Sequence, residues 1–276
     1  MMRNILVPTD FTLTSDNALE YTLKMNQHLN ASIVLFHSYN VPSYATDIPV
    51  VLADESLKDD VSRELNELSI HCSKKYPGMN IKAHLSEGLI TEQIVHLEER
   101  THPDLVVMGT SSIDAFNRIF IHTSSSVLRK SVCPVLIIPP ESSFSGMHKI
   151  VFATDYAEDD FENIAKVIEL ARIFSSSITL LHITDPDINR DYQYNELQNY
   201  LSSIQQEFQY ADINSKLLDS SNTMEGINYF TDLINADLLA VSMRKLSAFR
   251  RVFEKSLTQK MVYHTHIPLL ALHAEY

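Results

Sequence analysis

The chain has 276 residues, 45% of them hydrophobic, and its 22 basic and 35 acidic residues give a net charge of −13. This size suits two globular domains that each bury a core, and the acidic balance disfavours sequence-independent binding to nucleic acid or an anionic membrane. With no apolar run of about 18 residues and no charged-then-apolar leader, the sequence predicts a cytoplasmic protein without a membrane partner.

Short apolar runs rich in β-branched residues alternate with longer amphipathic stretches in the first half of the chain. The runs predict strands at Asn4–Val7, Ser32–His37, Ile81–Leu85, Leu105–Met108 and Val135–Ile138. Helices are predicted at Leu13–Leu29, Asp54–Lys75, Thr91–Thr101 and Thr123–Lys130. Continuous apolar strands that alternate with helices favour a parallel sheet covered on both faces.

The second half of the chain repeats this order. Its strands are predicted at Ile150–Ala153, Ile178–His182, Ile213–Leu217, Leu238–Val241 and Leu269–Leu272. Its helices are predicted at Asp159–Phe174, Tyr192–Gln209, Met224–Asn235 and Leu257–Tyr263. We therefore predict a first domain at residues 1–140, a linker at 141–147 and a second domain at 148–276, the prolines and small polar residues around the linker stopping a strand and freeing the chain.

The repetition extends to individual segments. Asn4–Asp10 recurs 145 residues later as Lys149–Asp155, and Asp104–Gly109 recurs 133 residues later as Asp237–Ser242. Solenoid repeats run at roughly 20–50 residues, so a repeat of this length indicates a duplicated domain with an equivalent site in each copy. The change of shift predicts an insertion of about twelve residues at 41–53, which is either a lid over the first site or a partner-contacting or decorative loop.

Three segments resemble one known family. The run Ile5–Phe11, the strand end Val106–Gly109 and the run Cys133–Pro139 are similar to motifs of the universal stress proteins. The likeness covers almost the whole of each half, so the chain resembles a tandem, two-domain universal stress protein. The resemblance implies an adenine nucleotide alpha hydrolase-like α/β fold: two doubly wound domains, each a five-stranded parallel sheet flanked by helices.

Members of that family that bind ATP carry Gly-x2-Gly-x9-Gly-[Ser/Thr] after the fourth strand. Glycines let the backbone approach phosphates, and the closing hydroxyl caps a helix whose N-terminal amides face the anion. In the first half these positions hold Gly109, Ser112, His122 and Thr123, so one glycine of three survives. We expect a weakened pocket for ATP or AMP, with these candidate residues: Pro8, Thr9, Asp10, Ser38, Met108, Gly109, Ser112, His122, Thr123 and Ser124.

The second half keeps the loop and loses every motif glycine. The equivalent positions are Ser242, Lys245, Lys255 and Ser256, which with Asp155 make a degenerate second site. If the third position needs positive φ, Lys255 there would cost about 1 kcal/mol or more, whereas a positive charge beside a helix N-terminus favours anions.

In each half, an aspartate follows the first strand and a histidine ends the second. By resemblance, Asp10 and its copy Asp155 face the adenine and ribose end of the pocket; the alternative, favoured at Asp155, is a cap on the following helix. His37 and His182 are predicted to be hydrogen-bonded strand-end residues rather than ligand contacts.

The second loop is basic in an otherwise acidic chain. Its cations are Arg244, Lys245, Arg250, Arg251 and Lys255. They indicate either a site for an anionic ligand or acidic partner, or a solvated loop, and the solvated loop is favoured. Ser124–Ser126 start a helix, where they cap amides, meet a phosphate or accept phosphorylation.

Other chemistry finds no support in the sequence. There is no Gly-x4-Gly-Lys-[Ser/Thr], Gly-x-Gly-x-x-Gly, Gly-x-Ser-x-Gly or His-Glu-x-x-His motif, so no catalytic residue is assigned. Cys72 and Cys133 lack zinc-type spacing and are predicted to be reduced thiols, and His264, His266 and His273 are not predicted to bind metal.

The predicted function is therefore a non-enzymatic stress-response protein that senses or binds a small anionic ligand or adenine nucleotide at the first domain. An interaction scaffold without nucleotide and a slow ATPase are the alternatives. Domains of that family tend to pair through the last strand, so the resemblance implies pairing within the chain, Val135–Ile138 against Leu269–Leu272. Unpaired apolar edge strands would otherwise invite association. Further homodimerisation stays open.

Overall fold

The structure, a computed structural model, describes residues 2–40, 51–110, 123–156, 158–185, 189–242 and 267–273. The first half contains β1 Asn4–Pro8, α1 Leu13–Leu29, β2 Ser32–Tyr39, α2 Val51–Lys75, β3 Ile81–Glu87, α3 Ile90–Thr101, β4 Leu105–Gly109, α4 Thr123–Lys130 and β5 Val135–Ile138. The second contains β6 Lys149–Ala153, α5 Glu158–Phe174, β7 Ser177–Thr184, α6 Arg190–Phe208, β8 Ile213–Asp219, α7 Thr223–Ile234, β9 Leu238–Ser242 and β10 Leu269–Leu272. All ten predicted strands are present, with bounds within two residues of those predicted. The predicted helix at Leu257–Tyr263 lies outside the described residues.

The ten strands form one continuous sheet in the order β3-β2-β1-β4-β5-β10-β9-β6-β7-β8. Neighbouring strands run parallel within each half, as the sequence predicts. The halves join where β5 and β10 pair in antiparallel fashion, with Leu269 opposite Ile137 and Ala271 opposite Val135. The chain thus supplies its own pairing partner for each apolar last strand.

The antiparallel junction fixes where the two crevices lie. Because the strands of one half run opposite to those of the other, their carboxyl ends stand at opposite edges of the sheet. In doubly wound sheets the ligand crevice lies beyond the carboxyl ends. The two candidate sites are therefore on opposite edges, and each is built from its own half of the chain.

Burial on both faces explains why the strands read as continuous apolar runs. In β1, Ile5 and Val7 enter one core and Leu6 enters the other, and all three are at most 1% exposed. The first core lies under α1, α2, α5 and α6, and the second under α3, α4 and α7. Among the described residues, none of the helices combines the length and apolar character needed to cross a membrane.

An aspartate at the amino ends of the strands is repeated in each half. The carboxylate of Asp104 accepts hydrogen bonds from the backbone N–H groups of Arg3 and Asn4, at 2.7 and 2.8 Å. Asp237 does the same for His148 and Lys149, at 2.7 and 2.9 Å. These two aspartates of the sequence repeat therefore tie the start of the first strand of each half to the start of the fourth, at the amino ends of those strands.

The segment between the halves is packed, which corrects the expectation that the linker frees the chain. Ser142, Phe144 and Met147 are each at most 9% exposed. The Asn17 side chain in α1 donates hydrogen bonds to the carbonyl oxygens of Pro139 and Ser142, both at 3.1 Å. The linker is consequently part of the core contact between the domains.

The predicted insertion is divided between a helix and residues outside the described ranges. Helix α2 begins at Val51 rather than at the predicted Asp54, and it has 25 residues against 19 in α6, its counterpart. The longer helix accounts for six of the twelve extra residues. Residues 41–50, and with them the lid prediction, lie outside the described part of the chain.

Candidate functional site

The first crevice lies where β1 separates from β4. β1 has β2 on one side and β4 on the other, so the chain changes direction across the sheet at this point. The β1–β4 ladder pairs Ile5 with Leu105 and Leu6 with Val106. Beyond this last pair, β1 ends at Pro8 and β4 ends with Met108 and Gly109. Thr9 and Asp10 follow β1. This is the switch point at which doubly wound folds bind ligands.

Asp10 is an exposed carboxylate held by one neighbouring residue. Its Oδ1 accepts hydrogen bonds from the Thr12 N–H at 3.2 Å and the Thr12 hydroxyl at 2.5 Å. Partial burial would raise the pKa of Asp10, but the hydrogen bonds from Thr12 and Ser15 outweigh it and lower the pKa below 3.8. The site therefore presents an oriented anion to solvent.

The cap of α1 is Thr12, which corrects the alternative interpretation of Asp10. The Thr12 side chain accepts a hydrogen bond from the Ser15 N–H, and Asp10 in turn orients Thr12. Asp10 lies two residues before the cap of α1, and α1 begins at Leu13. Asp155 likewise lies two residues before residue 157, and α5 begins at Glu158. Residue 157 lies outside the described ranges.

A histidine and an aromatic ring support the turn after β1. Phe11 adopts the left-handed conformation, with φ of 59°, and its N–H donates to the Thr9 hydroxyl at 3.1 Å. The His37 ring lies 4.7 Å from the Phe11 ring, and its Nδ1 is 2.7 Å from the Thr9 carbonyl oxygen. This agrees with the prediction that His37 is a hydrogen-bonded strand-end residue.

Gly109 has a structural role that the phosphate argument does not include. A Cβ at this position would stand 2.8 Å from the Thr14 carbonyl carbon and nearer still to its oxygen. The first turn of α1 therefore rests directly on the end of β4, where only a glycine fits.

The remaining candidates divide into three groups. Pro8, Thr9 and Met108 are buried and shape the crevice from below, and Thr9 is 3% exposed. The Ser38 hydroxyl is already used, since it donates to the Gly88 carbonyl oxygen at 2.5 Å. Outside the described residues lie Ser112 and His122, together with the side chains of Thr123 and Ser124, whose backbone begins α4.

The second domain repeats the turn after its first strand. Tyr156 is left-handed, with φ of 64°, and its N–H donates to the Thr154 hydroxyl at 3.0 Å. The His182 ring stacks on the Tyr156 ring at 4.4 Å, and its Nδ1 lies 2.8 Å from the Thr154 carbonyl oxygen. The scaffold of the crevice was therefore duplicated with its hydrogen bonds.

The two crevices differ at the end of the fourth strand. Ser242 replaces Gly109 and is 2% exposed, and its hydroxyl donates to Asp160 at 2.5 Å. Asp160 stands where the first domain has Ser15, and it is fully buried. Of the other second-site candidates, Asp155 is exposed, while Lys245, Lys255, Ser256 and the rest of the basic loop lie outside the described residues.

Several functional positions were not found by sequence reasoning. Thr12, Phe11 with its copy Tyr156, and Asp160 were not among the candidates. The 145-residue shift pairs Ser15 with Asp160, so the replacement of a polar residue by an acidic one was the signal that the sequence offered. Its meaning depends on a contact between residues 82 positions apart.

One cleft lies away from both crevices. It measures about 490 Å³ and is lined by residues of α1 and α2, including Asp16 and Lys75. In the second domain the equivalent positions are Phe161 and Phe208, whose rings lie 5.2 Å apart. The cleft is thus a place where the first domain lacks an aromatic pair, and we assign it no ligand.

The described residues hold no group of three or more histidine, cysteine or acidic side chains placed to bind a metal ion. Cys72 and Cys133 are free and buried. Burial, followed by the charge of Glu98, raises the pKa of Cys133 to about 12. That thiol is therefore protonated at neutral pH.

Together, the ten-stranded sheet and its duplicated switch-point crevices define a tandem, doubly wound α/β protein. The universal stress protein family model matches the chain twice, at residues 1–139 and 146–273. This chain belongs to the universal stress protein family, and it carries two copies of the family's domain.

Known relatives of this chain include single-domain and tandem proteins. Two universal stress proteins of Methanocaldococcus jannaschii are similar to it. One is 24% identical over 143 residues, covering 50% of this chain and 82% of the relative; the other is 22% identical over 159 residues, covering 52% and 98%. The crystal structure of a universal stress protein from Archaeoglobus fulgidus matches 98% of this chain and 96% of its own, with a TM-score of 0.72 and 18% identity. That likeness extends across both halves.

Proposed function

We propose that this protein is a non-enzymatic, cytoplasmic stress-response protein whose first domain binds an adenine nucleotide, ATP or AMP, as a sensed ligand. The second domain serves as its structural partner. The observation that carries the proposal is the opening between β1 and β4, where an exposed, oriented Asp10 carboxylate follows one strand and Gly109, which has no side chain, ends the other.

The chemistry of this opening suits the two ends of a nucleotide. A carboxylate accepts hydrogen bonds from hydroxyl and amino groups, so Asp10 suits a ribose or adenine donor. Helix α4 follows β4 in a parallel unit, which places its N-terminus at the same edge of the sheet. Helix N-termini bind phosphate because their free N–H groups and dipole favour anions. Charge repulsion keeps the phosphates away from Asp10.

Calorimetric titration of the purified chain with ATP, AMP and cyclic nucleotides tests the proposal. We expect saturable heat with ATP or AMP at micromolar to millimolar concentrations. Asp10→Ala is expected to weaken binding at least tenfold, whereas Asp16→Ala, which removes an exposed acid from the first turn of α1, leaves affinity unchanged. The absence of heat at millimolar nucleotide would overturn the proposal.

A second titration tests the expectation that the side chain at residue 122 weakens nucleotide binding. His122 stands at the third glycine position of the family motif, and His122→Gly restores that glycine. If a side chain there crowds the phosphates, affinity rises. An unchanged affinity would show that crowding at residue 122 is not the obstacle.

The alternative is an interaction scaffold that binds no nucleotide. It is favoured by the use of the Ser38 hydroxyl within the fold and by the side chain at Ser242 in the second crevice. The two functions separate on one measurement: a scaffold gives no nucleotide heat in the wild type or in His122→Gly.

A further inference from the structure

A buried hydrogen-bond network crosses the switch point of the second domain. Asp160 in the first turn of α5 accepts hydrogen bonds from the Ser242 hydroxyl at 2.5 Å and the Thr154 hydroxyl at 2.6 Å. Thr154 follows β6 and Ser242 ends β9, so one carboxylate joins the two strands between which a ligand would bind. A third donor, the Asp155 N–H, lies 3.4 Å from the same carboxylate.

The network is closed off from solvent. Asp160 and Asn163 are 0% exposed, Ser242 is 2% exposed and Thr154 is 5% exposed. The Asn163 amide donates to the Ser242 hydroxyl at 2.9 Å, so that hydroxyl accepts one hydrogen bond and donates another. Hydrogen bonds between buried groups hold their geometry firmly, although the Asn163 Oδ1 has no hydrogen-bond partner among the described residues.

Three positions of this network differ together from the first domain. At the repeat shifts, Asp160 corresponds to Ser15, Asn163 to Ala18 and Ser242 to Gly109. In the first domain, the Ser15 hydroxyl lies 3.1 Å from that of Thr9, and the carboxylate that interacts with Ser15 is the exposed Asp10 rather than a buried acid. The lost glycine is therefore one part of a coupled exchange, in which a negative charge entered the floor of the crevice.

The pairing of the two strands beside the network also differs between the domains. The β6–β9 ladder continues to Ala153 opposite Val241, whereas the β1–β4 ladder stops at Leu6 opposite Val106. Pro8, the counterpart of Ala153, has no amide hydrogen to donate. The strands of the second domain thus stay paired for two more residues, up to the network.

We infer that Asp160, fixed by Thr154 and Ser242, determines the ligand charge that the second crevice accepts, and that it excludes phosphate-bearing ligands. A negative charge in a site of low dielectric is weakly screened, so it repels an anion strongly at short range. The inference rests on the proposed function only in taking a nucleotide as the probe. It assigns the asymmetry of the two sites to this network rather than to the missing loop glycines alone.

The test restores the first-domain pattern in the second domain with Asp160→Ser, Asn163→Ala and Ser242→Gly in one chain. Amide hydrogen exchange is followed with and without 5–10 mM ATP, a concentration of the order used to detect weak sites. We expect ATP to protect residues 154–156 and 242 in the triple variant and not in the wild type. Glu162→Ser, which removes an exposed acid from the same helix, is the matched control and is expected to behave as wild type.

Single substitutions separate charge from shape. Asp160→Asn removes the charge while keeping the size, and it is expected to gain part of the protection; Ser242→Gly alone is expected to gain none. Should the triple variant not fold, Asp160→Asn decides the question. Protection of 154–156 in the wild type, or its absence in folded variants without the Asp160 charge, would overturn the inference.

The same experiment reports on the first domain independently. Protection of residues 9–11 by ATP measures the proposed function in every variant. If that protection is missing while 154–156 become protected in the triple variant, the proposed function fails and the inference stands. The reverse result overturns the inference and leaves the proposed function intact.

Discussion

Gly109 rests against the backbone of Thr14, so closely that a Cβ on Gly109 would stand 2.8 Å from the Thr14 carbonyl carbon. This contact sets the position of α1 on β4 and, with it, the position of the Asp10–Thr12 pair. Gly109 thus supports the site through packing as well as through its lack of a side chain.

Gly109→Ala is expected to destabilise the protein by about 1–3 kcal/mol, because an added methyl forces the first turn of α1 away from β4. Urea unfolding measures the loss. An unfolding midpoint of Gly109→Ala equal to that of wild type would contradict the packing role.

The pKa of Asp10 gives a prediction about pH. Hydrogen bonds hold this pKa below its ordinary value of 3.8 in the folded protein, despite partial burial. The folded pKa is lower than the unfolded one, so the associated stability is present above about pH 4 and is lost as pH falls through the folded pKa.

Thr12→Val removes the strongest of these hydrogen bonds and is expected to raise the pKa of Asp10 toward 3.8. Carboxyl-detected NMR titration measures it. The substitution also removes the cap of α1, at a cost of about 1 kcal/mol. Thr101→Val, on α3, should leave the pKa of Asp10 where it is; an equal shift in both variants would refute the local explanation.

Glu98 is a buried acid that fastens the turn before β5. It is 1% exposed and accepts hydrogen bonds from the Ser131 hydroxyl at 2.7 Å and the Val132 N–H at 3.0 Å. Glu98→Ala removes the acceptor of the Val132 N–H and leaves the Ser131 hydroxyl only the Cys133 carbonyl oxygen at 3.0 Å, so we expect a loss of about 1–3 kcal/mol in urea unfolding. Its neighbour Glu99 is exposed, and Glu99→Ala should change stability by less than about 0.5 kcal/mol. Similar losses in the two variants would rule out the buried role.

His273, after β10, is predicted to make the protein sensitive to mild acid. Its burial, followed by the charge of Lys166, lowers its pKa from 6.5 to about 4. The folded protein therefore resists protonation that the unfolded chain accepts. Stability is full above pH 6.5 and is lost as pH falls from 6.5 toward 4, by roughly 3 kcal/mol at most.

His273→Leu is expected to flatten the stability profile between pH 6.5 and 4. Urea unfolding at several pH values, compared with wild type, measures the change. His96→Gln, at an exposed histidine of α3, is the matched control and should keep the wild-type slope. A slope unaltered by His273→Leu would contradict the prediction.

Phe144 joins the two domains through aromatic contacts. Its ring lies 5.2 Å from that of Tyr21 in α1 and 5.7 Å from that of Phe174 in α5. Phe144→Ala is expected to cost about 3–5 kcal/mol, because it opens a cavity between the domains. Thermal unfolding of Phe144→Ala should show a lower midpoint. Val132 is 66% exposed, and Val132→Ala should leave the midpoint unchanged. A mild effect of Phe144→Ala would mean that the linker is not part of the shared core.

Local pattern was sufficient to predict the elements and the junction between the halves. Apolar runs gave the eight inner strands because these are buried on both faces, as Ile5, Leu6 and Val7 illustrate. The edge strands β3 and β8 were also predicted, although they are partly exposed. The β5–β10 pairing was predicted from the resemblance to universal stress proteins, and the apolar character of both last strands supported it.

The rest depended on contacts between distant residues. The linker contains residues typical of a flexible segment, yet Phe144 is buried against helices of both domains. The role of Asp160 depends on Ser242, 82 residues away, and that of Gly109 depends on Thr14. Such roles become visible only when the fold has placed the partners side by side.

The join between β5 and β10 within one chain has a consequence for how the protein can change. In a symmetric dimer of single domains, one codon specifies both copies of a site, so a substitution at the glycine after the fourth strand would alter both. Here the two copies are encoded separately, and the crevices stand at opposite edges of the sheet without shared residues. A carboxylate can therefore occupy one floor while the other keeps its glycine, and natural selection can act on each crevice separately while the pairing that holds them together is preserved.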